Sequence, residues 1–166
     1  MKKSVVVDDR THPAVKWLTP DELSSWLSVV RLLIRLPWSL DQQLQRDSNL
    51  TMVEYQVMAK LSDSPHRTMR MSALAEVANA SLSHLSRVVN RLEQRGFLRR
   101  EADATDGRFT NAILTDDGFQ ILAAAAPGHV AHVRSLVIDA LSAEQLRRLG
   151  RDAERITSRI DASTIN

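Results

Sequence analysis

The side chains best suited to chemistry in this 166-residue chain lie close together on one predicted helix. From Ser81 to Arg95, the residues Leu85, Val88, Val89 and Leu92 recur at helical spacing and form one apolar face. The opposite face then carries Ser83, Ser86, Arg87, Asn90 and Gln94, with His84 and Arg91 on its flank. These are hydroxyls, amides, an imidazole and guanidinium groups. No carboxylate is among them, because Glu93 falls off that face. Arginine can grip guanine through two hydrogen bonds, asparagine can read adenine, and serine or histidine can bond base edges or phosphates. The competing reading is a solvated helix face without acids, although such faces more often mix Glu with Lys.

Bulk charge adds little to this. The formal net charge is +2 while the pI is 9.4. With four Lys, one Tyr and no Cys, few groups titrate between neutrality and the lysine range, so a small arginine excess carries the pI far upward. The distribution is more telling. Residues 66–100 hold seven arginines against Glu76 and Glu93, whereas residues 1–65 are balanced and residues 101–166 are net negative by three. The basic excess thus falls on the central segment, where a polyanion would be met.

The elements that must position this face follow from start and stop signals. Residues 1–18 show no period and read as an N-terminal arm. Thr19-Pro20-Asp21-Glu22 opens a helix with a capping box, and an apolar stripe from Leu23 to Leu44 follows, interrupted by Pro37, which should kink or divide it. Thr51-Met52-Val53-Glu54 opens the next helix; Ser62 to His66 is a loop; Ser72 can cap a short helix, Ala73 to Ala78. After a tight turn at Asn79-Ala80, Ser81 caps the helix already described, which closes at Gly96. Phe97–Ala102 and Phe109–Leu114 read as strands of a hairpin with Asp103 to Arg108 at its tip. Thr115 starts a helix to about Ala140 with a kink at Pro127-Gly128, and Ser142-Ala143-Glu144-Gln145 starts a last one carrying Leu146, Leu149, Ala153, Ile156 and Ile160 inward. Helix, helix, tight turn, helix, two short strands and helix is the order of a winged helix-turn-helix. The expected fold is mainly α with a small β wing. Residues 49–115 would form the winged lobe, and residues 19–48 and 116–166 a helical dimerisation lobe.

The segment Met71-Ser-Ala-Leu-Ala-Glu, then Leu82-Ser-His-Leu-Ser-Arg-Val-Val-Asn-Arg-Leu-Glu-Gln-Arg-Gly96-Phe, then Asp103-x-x-Asp106-x-Arg108 and Leu114-Thr115-x-x-Gly118 resembles the MarR (multiple antibiotic resistance regulator) family of bacterial repressors over roughly residues 20–160. The resemblance implies a homodimer on double-stranded DNA with a pseudo-palindromic operator, its two recognition helices in successive major grooves. It implies a repressor released by a small aromatic or anionic ligand. It makes Ser83, His84, Ser86, Arg87, Asn90 and Arg91 the DNA-contacting residues of the helix, Arg108 the wing-tip arginine in the minor groove, and Asp106 the aspartate that holds the arginine or the wing. Turn chemistry is the plainer role for Asp106 and Gly107. The wing from Glu101 to Arg108 is itself net acidic by two, so contact there rests on one placed arginine. Trp26, Trp38 and Tyr55 are the candidates for lining a ligand pocket between the lobes; at helical spacing they also read as core.

Other classes find less support. The lack of cysteine removes disulfides, thiolate metal sites and thiol redox switching. There is no Gly-rich phosphate loop, nucleophile elbow or His-Glu-x-x-His, so no enzyme and no cofactor are expected. His129 and His132 are three apart, a metal-capable spacing, but no carboxylate lies in the turn before them and no metal is expected. Phe97 and Phe109 are too few for an RNA-stacking platform. The longest uncharged stretch, Gly118 to Val133, is too short and polar to span a bilayer, and nothing near Lys2 reads as a signal peptide, so cytoplasmic residence is expected. The alternative function is a winged-helix protein-interaction module without DNA binding, which acids on the recognition face would have favoured.

Overall fold

A computed structural model describes residues 15–164. Most of the expected N-terminal arm, residues 1–14, lies outside the described residues. The fold is mainly helical with one small antiparallel sheet: α1 (Pro20–Ser48), α2 (Met52–Ser62), β1 (Thr68–Arg70), α3 (Met71–Val77), α4 (Leu82–Gln94), β2 (Leu98–Ala102), β3 (Thr110–Leu114), α5 (Asp116–Val133) and α6 (Ala143–Thr164). The capping boxes expected at Thr19, Thr51 and Ser142 all form, each hydroxyl accepting a backbone N–H while Glu22, Glu54 or Gln145 accepts one in return. Ser81 and Thr115 cap α4 and α5 as expected.

Four local expectations need correction. α3 starts at Met71 without a side-chain cap, so Ser72 lies inside its first turn rather than before it. Pro37 does not divide α1, and α5 runs through Pro127; α5 ends at Val133 and passes into a π-type turn, Arg134–Ile138. The sheet has a third strand, β1, in the order β1-β3-β2. Three residues are too few to show alternation, but they pair with β3 as Thr68↔Ile113, Met69↔Ala112 and Arg70↔Asn111. Finally, α5 and the turn after it form a 23-residue segment, Asp116–Ile138, containing an 18-residue window of mean hydropathy 1.4, long and apolar enough by length and composition to cross a membrane. This helical segment extends past the uncharged stretch that the sequence defines. Its Gly118, Leu122, Ala125 and His129 are buried, and Leu122 and Ala125 belong to the core of the fold.

The chain divides into two compact units, residues 1–36 and 37–166. The second has a single core. Leu44 and Leu50 meet Val57, Met58 and Leu61 of α2, Leu74 of α3, the apolar face of α4, Leu98, Ala112 and Leu114 of the sheet, and Leu122 and Ala125 of α5. The expected lobe boundaries at residues 49 and 115 are therefore not core boundaries, because α1 and α5 each insert residues beneath the winged elements. Along α6 the stripe expected to face inward is instead open in the single chain: Leu149 is 40% exposed and Ile156 55%, with Ala153 and Ile160 also exposed. In α1, Leu23, Leu27, Leu33 and Ile34 are likewise exposed.

Candidate nucleic-acid interface

α4, the helix expected to meet DNA, is fixed from within. Ser81 Oγ accepts the His84 N–H at 3.2 Å, and Leu85, Val88, Val89 and Leu92 are fully buried. The preceding turn is closed by Asn79 in the left-handed region (φ 48°), a conformation asparagine tolerates, and the helix ends at Gly96 with φ 77°. Ser83, His84, Arg87, Asn90 and Gln94 are consequently exposed, with Ser86 half-buried. The Arg87 side chain makes no hydrogen bond or ion pair among the described residues, which leaves its guanidinium available to a partner.

Two residues of this surface, Arg91 and Asn90, are already engaged. Arg91 is exposed, and its Nε donates to Glu54 Oε1 at 3.1 Å. Glu54 is buried and serves three groups: its other oxygen accepts the Thr51 N–H at 2.9 Å and lies 3.6 Å from Arg95 Nη1, while Arg95 Nη2 donates to Asn49 O. One carboxylate thus caps α2 and ties it to α4, fixing the angle at which the recognition face is presented. Asn90 is met from β2, where Arg100 Nη2 donates to its Oδ1 at 3.2 Å. Glu93 in turn accepts from Arg100, and these hydrogen bonds hold its carboxyl below the usual carboxylate range.

The wing is organised by two aspartates. Asp103 Oδ1 accepts the N–H groups of Thr105 and Asp106 at 3.0 and 3.1 Å, and its Oδ2 accepts from Arg70 Nε at 3.1 Å and Asn111 Nδ2 at 3.3 Å. Arg70 and Asn111 are register partners across β1 and β3, so this carboxylate joins the strand missing from the sequence reading to the wing tip. The hydrogen bond from Arg70 leads those that hold Asp103 down to a pKa of about 2. Arg70 also lies over the Phe109 ring, 4.5 Å from its centroid. Asp106 Oδ1 accepts both the N–H and the Nε of Arg108, at 3.1 and 2.9 Å, and its Oδ2 accepts Nη2 at 2.6 Å. That pairing lowers the pKa of Asp106 and raises that of Arg108. It aims a guanidinium that is otherwise highly exposed, at 84%.

The base of the wing explains the Leu-Thr-x-x-Gly motif. Thr115 Oγ1 lies within hydrogen-bond reach of the carbonyls of Gly96 and Phe97, at 2.7 and 3.0 Å, and accepts the Gly118 N–H at 3.0 Å. Gly118 is required there, since a Cβ would come within 2.2 Å of Phe97 O.

Elsewhere, Tyr55 and His129 pack with ring centroids 4.6 Å apart, beside a cavity of about 410 Å³ whose lining also includes Met52, Ala59, Lys60 and Val77. Trp38 does not line this cavity and is 66% exposed; Trp26, on the part of α1 before Leu36, is exposed as well. His129 is buried with Nδ1 on Gln43 Oε1, and burial lowers its pKa; His132 Nε2 bonds Ser39 Oγ. Both histidines are placed by hydrogen bonds within the fold.

Arg100, Glu54, Arg70 and Asp103 were not singled out as site residues by sequence. Asp103 carried a signal, since the first aspartate of an Asp-x-x-Asp turn can accept its own backbone N–H groups. The others become visible only when strand and helix are brought together.

A winged helix with this face defines a class, and comparison with known proteins gives the family. The MarR family model matches residues 50–110. The transcriptional regulator HosA of Escherichia coli O127:H6 is 31% identical over 118 residues, covering 71% of this chain and 79% of HosA. Among solved structures, Sco3205, a MarR family transcriptional regulator from Streptomyces coelicolor in complex with DNA, is 42% identical with a TM-score of 0.85, covering 87% of this chain and 94% of that one. AbsC, another MarR family regulator from Streptomyces coelicolor, is 34% identical with a TM-score of 0.85, covering 89% and 99%. The chain belongs to the MarR family of transcriptional regulators.

Proposed function

We propose that this regulator binds a pseudo-palindromic operator as a homodimer and represses by occluding a promoter. The observation that carries the reading is the acid-free, outward face of α4, with Arg87 unpaired among the described residues and the Asp106-aimed Arg108 on the wing. Ser83, His84, Ser86, Arg87 and Asn90 enter the major groove, with Arg91 at its edge. Arg108 enters the adjacent minor groove, where it senses width and negative potential more than base identity. The DNA complex of Sco3205 supports carrying this mode to a chain of 42% identity. Dimer formation accounts for the apolar surface of α1 and α6 that the single chain leaves uncovered. Release by a small aromatic or anionic ligand is assigned to the cavity beside Tyr55 and His129, where Lys60 supplies a positive rim.

A gel-shift titration against duplexes selected with the purified protein tests the reading. Arg87→Ala should cost about 1–3 kcal/mol on the selected site and relax preference at one position per half-site. Arg108→Ala should weaken binding to most sequences alike and lower the salt slope by about one per subunit. Unchanged affinity and salt dependence in Arg108→Ala would remove the wing from the interface.

A further inference from the structure

Asn90 carries base readout in the proposed function, and what it reads depends on which way its amide faces. The amide has an acceptor end, Oδ1, and a donor end, Nδ2. Turned one way it offers an acceptor to the exocyclic amine of adenine or cytosine; turned the other, it offers a donor to guanine O6 or thymine O4. The two orientations differ by a half-turn about a soft terminal torsion. An amide free to turn discriminates poorly among those edges.

In this structure the amide is held. Arg100 Nη2 donates to Asn90 Oδ1 at 3.2 Å. Arg100 keeps that position because Glu93 holds it at three points: Oε1 accepts its backbone N–H at 3.0 Å, and Oε2 accepts Nε at 2.9 Å and Nη2 at 2.5 Å. Asn90 and Glu93 are three apart on α4 and so are neighbours on its surface, Glu93 at the edge of the outward face, and Arg100 reaches both from β2. A guanidinium can serve two acceptors in fixed directions; an ammonium lacks that fork. The arrangement also accounts for an acid beside a face meant for a polyanion, because the charge of Glu93 is matched by Arg100.

We propose that Arg100 is a specificity-positioning residue: by holding Asn90 Oδ1 toward β2, it leaves Nδ2 to face the base, so that Asn90 donates to guanine O6 or thymine O4, without Arg100 itself reading a base. The inference rests on the reading that α4 meets DNA. Glu93 is the anchor of the device and Asn90 its reader.

The test is selection from randomised double-stranded DNA at moderate salt. It uses the full chain and the variants Asn90→Ala, Arg100→Met, Arg100→Lys and the double variant Asn90→Ala/Arg100→Met. Arg100→Met and Arg100→Lys should flatten the same symmetric pair of positions that Asn90→Ala flattens, from about tenfold preference to within about twofold, and leave the others intact. The double variant should be no flatter than Asn90→Ala alone. Arg100→Lys keeps the charge opposite Glu93, so it keeps the fold and the salt slope while losing the preference. The inference is overturned if Arg100→Met lowers affinity for all sequences alike with preference unchanged, which is the behaviour of a phosphate contact. It is also overturned if Arg100→Met shifts preference equally when Asn90 is absent, because Arg100 would then read the base itself. A wild-type chain that enriches no motif overturns the regulator reading, and this inference with it. A wild-type motif that survives both Arg100 variants overturns this inference alone.

Discussion

α4 and α6 are both amphipathic helices rich in arginine, yet they treat their apolar stripes in opposite ways. α4 buries Leu85, Val88, Val89 and Leu92 completely within its own chain. α6 leaves Leu149 and Ile156 exposed, with a row of Arg147, Arg151, Arg155 and Arg159 on another side of the same helix. The polar groups follow the same division. Around α4, Glu54 holds Arg91 and Arg95 and Glu93 holds Arg100. On α6 the pairing is limited among the described residues to Arg148 and Asp152, 3.9 Å apart and exposed, which contributes little to stability. The winged lobe is therefore complete in one chain, down to the presentation of its contact face. α6 is patterned for burial but leaves its stripe open in the single chain.

The comparison breaks most visibly if the two stripes are truncated in parallel. Leu92→Ala should cost about 3 kcal/mol in urea unfolding, by loss of burial and a residual cavity. Gly118→Ala should follow at about 2 kcal/mol, because Phe97 O must move to admit the methyl group and the Thr115 clamp moves with it. Ile156→Asp should change the unfolding free energy of the isolated chain by less than about 0.5 kcal/mol, while converting the proposed dimer to a monomer in sedimentation at micromolar concentration. If Ile156→Asp instead unfolded the chain as Leu92→Ala does, or left a dimer intact, the contrast between the two helices would be wrong.

What could be read in the sequence tracks how local the physics is. Capping boxes, the Ser81 cap and the Gly96 stop lie within a few residues of the elements they define, and the structure forms them where the sequence places them. The fold class follows from their order. β1 was missed because its pairing with β3 spans more than forty residues and its three side chains carry no period. The exposure of Ala153 and Ile156 was missed for a related reason: a periodic stripe says that a face will be covered, not by which chain. The candidate site divides along the same line. The outward residues of α4 follow from helical periodicity, whereas the partners that aim them, Glu54 from α2 and Arg100 from β2, come from elsewhere in the fold.

The smallest effect sharpens the comparison at the wing. The folded state holds Asp103 at a pKa of about 2, below its ordinary value of 3.8, chiefly through the hydrogen bond from Arg70 and the turn N–H groups. A carboxylate depressed on folding stabilises the folded form while it is ionised. Its contribution is complete above its unfolded value and is lost as pH falls from about 4 toward 2. Asp103→Asn should therefore lower the melting temperature slightly at neutral pH, and its difference from the wild type should shrink as pH falls through that window. Because the carboxylate joins β1 to the wing tip, hydrogen exchange should also quicken at Thr105 and Asp106, whose N–H groups it accepts, and not in α4. A variant whose deficit stayed constant down to pH 2, or whose exchange quickened equally along α4, would show that the wing is not stabilised by this carboxylate, and that the lobe's internal pairing stops short of its tip.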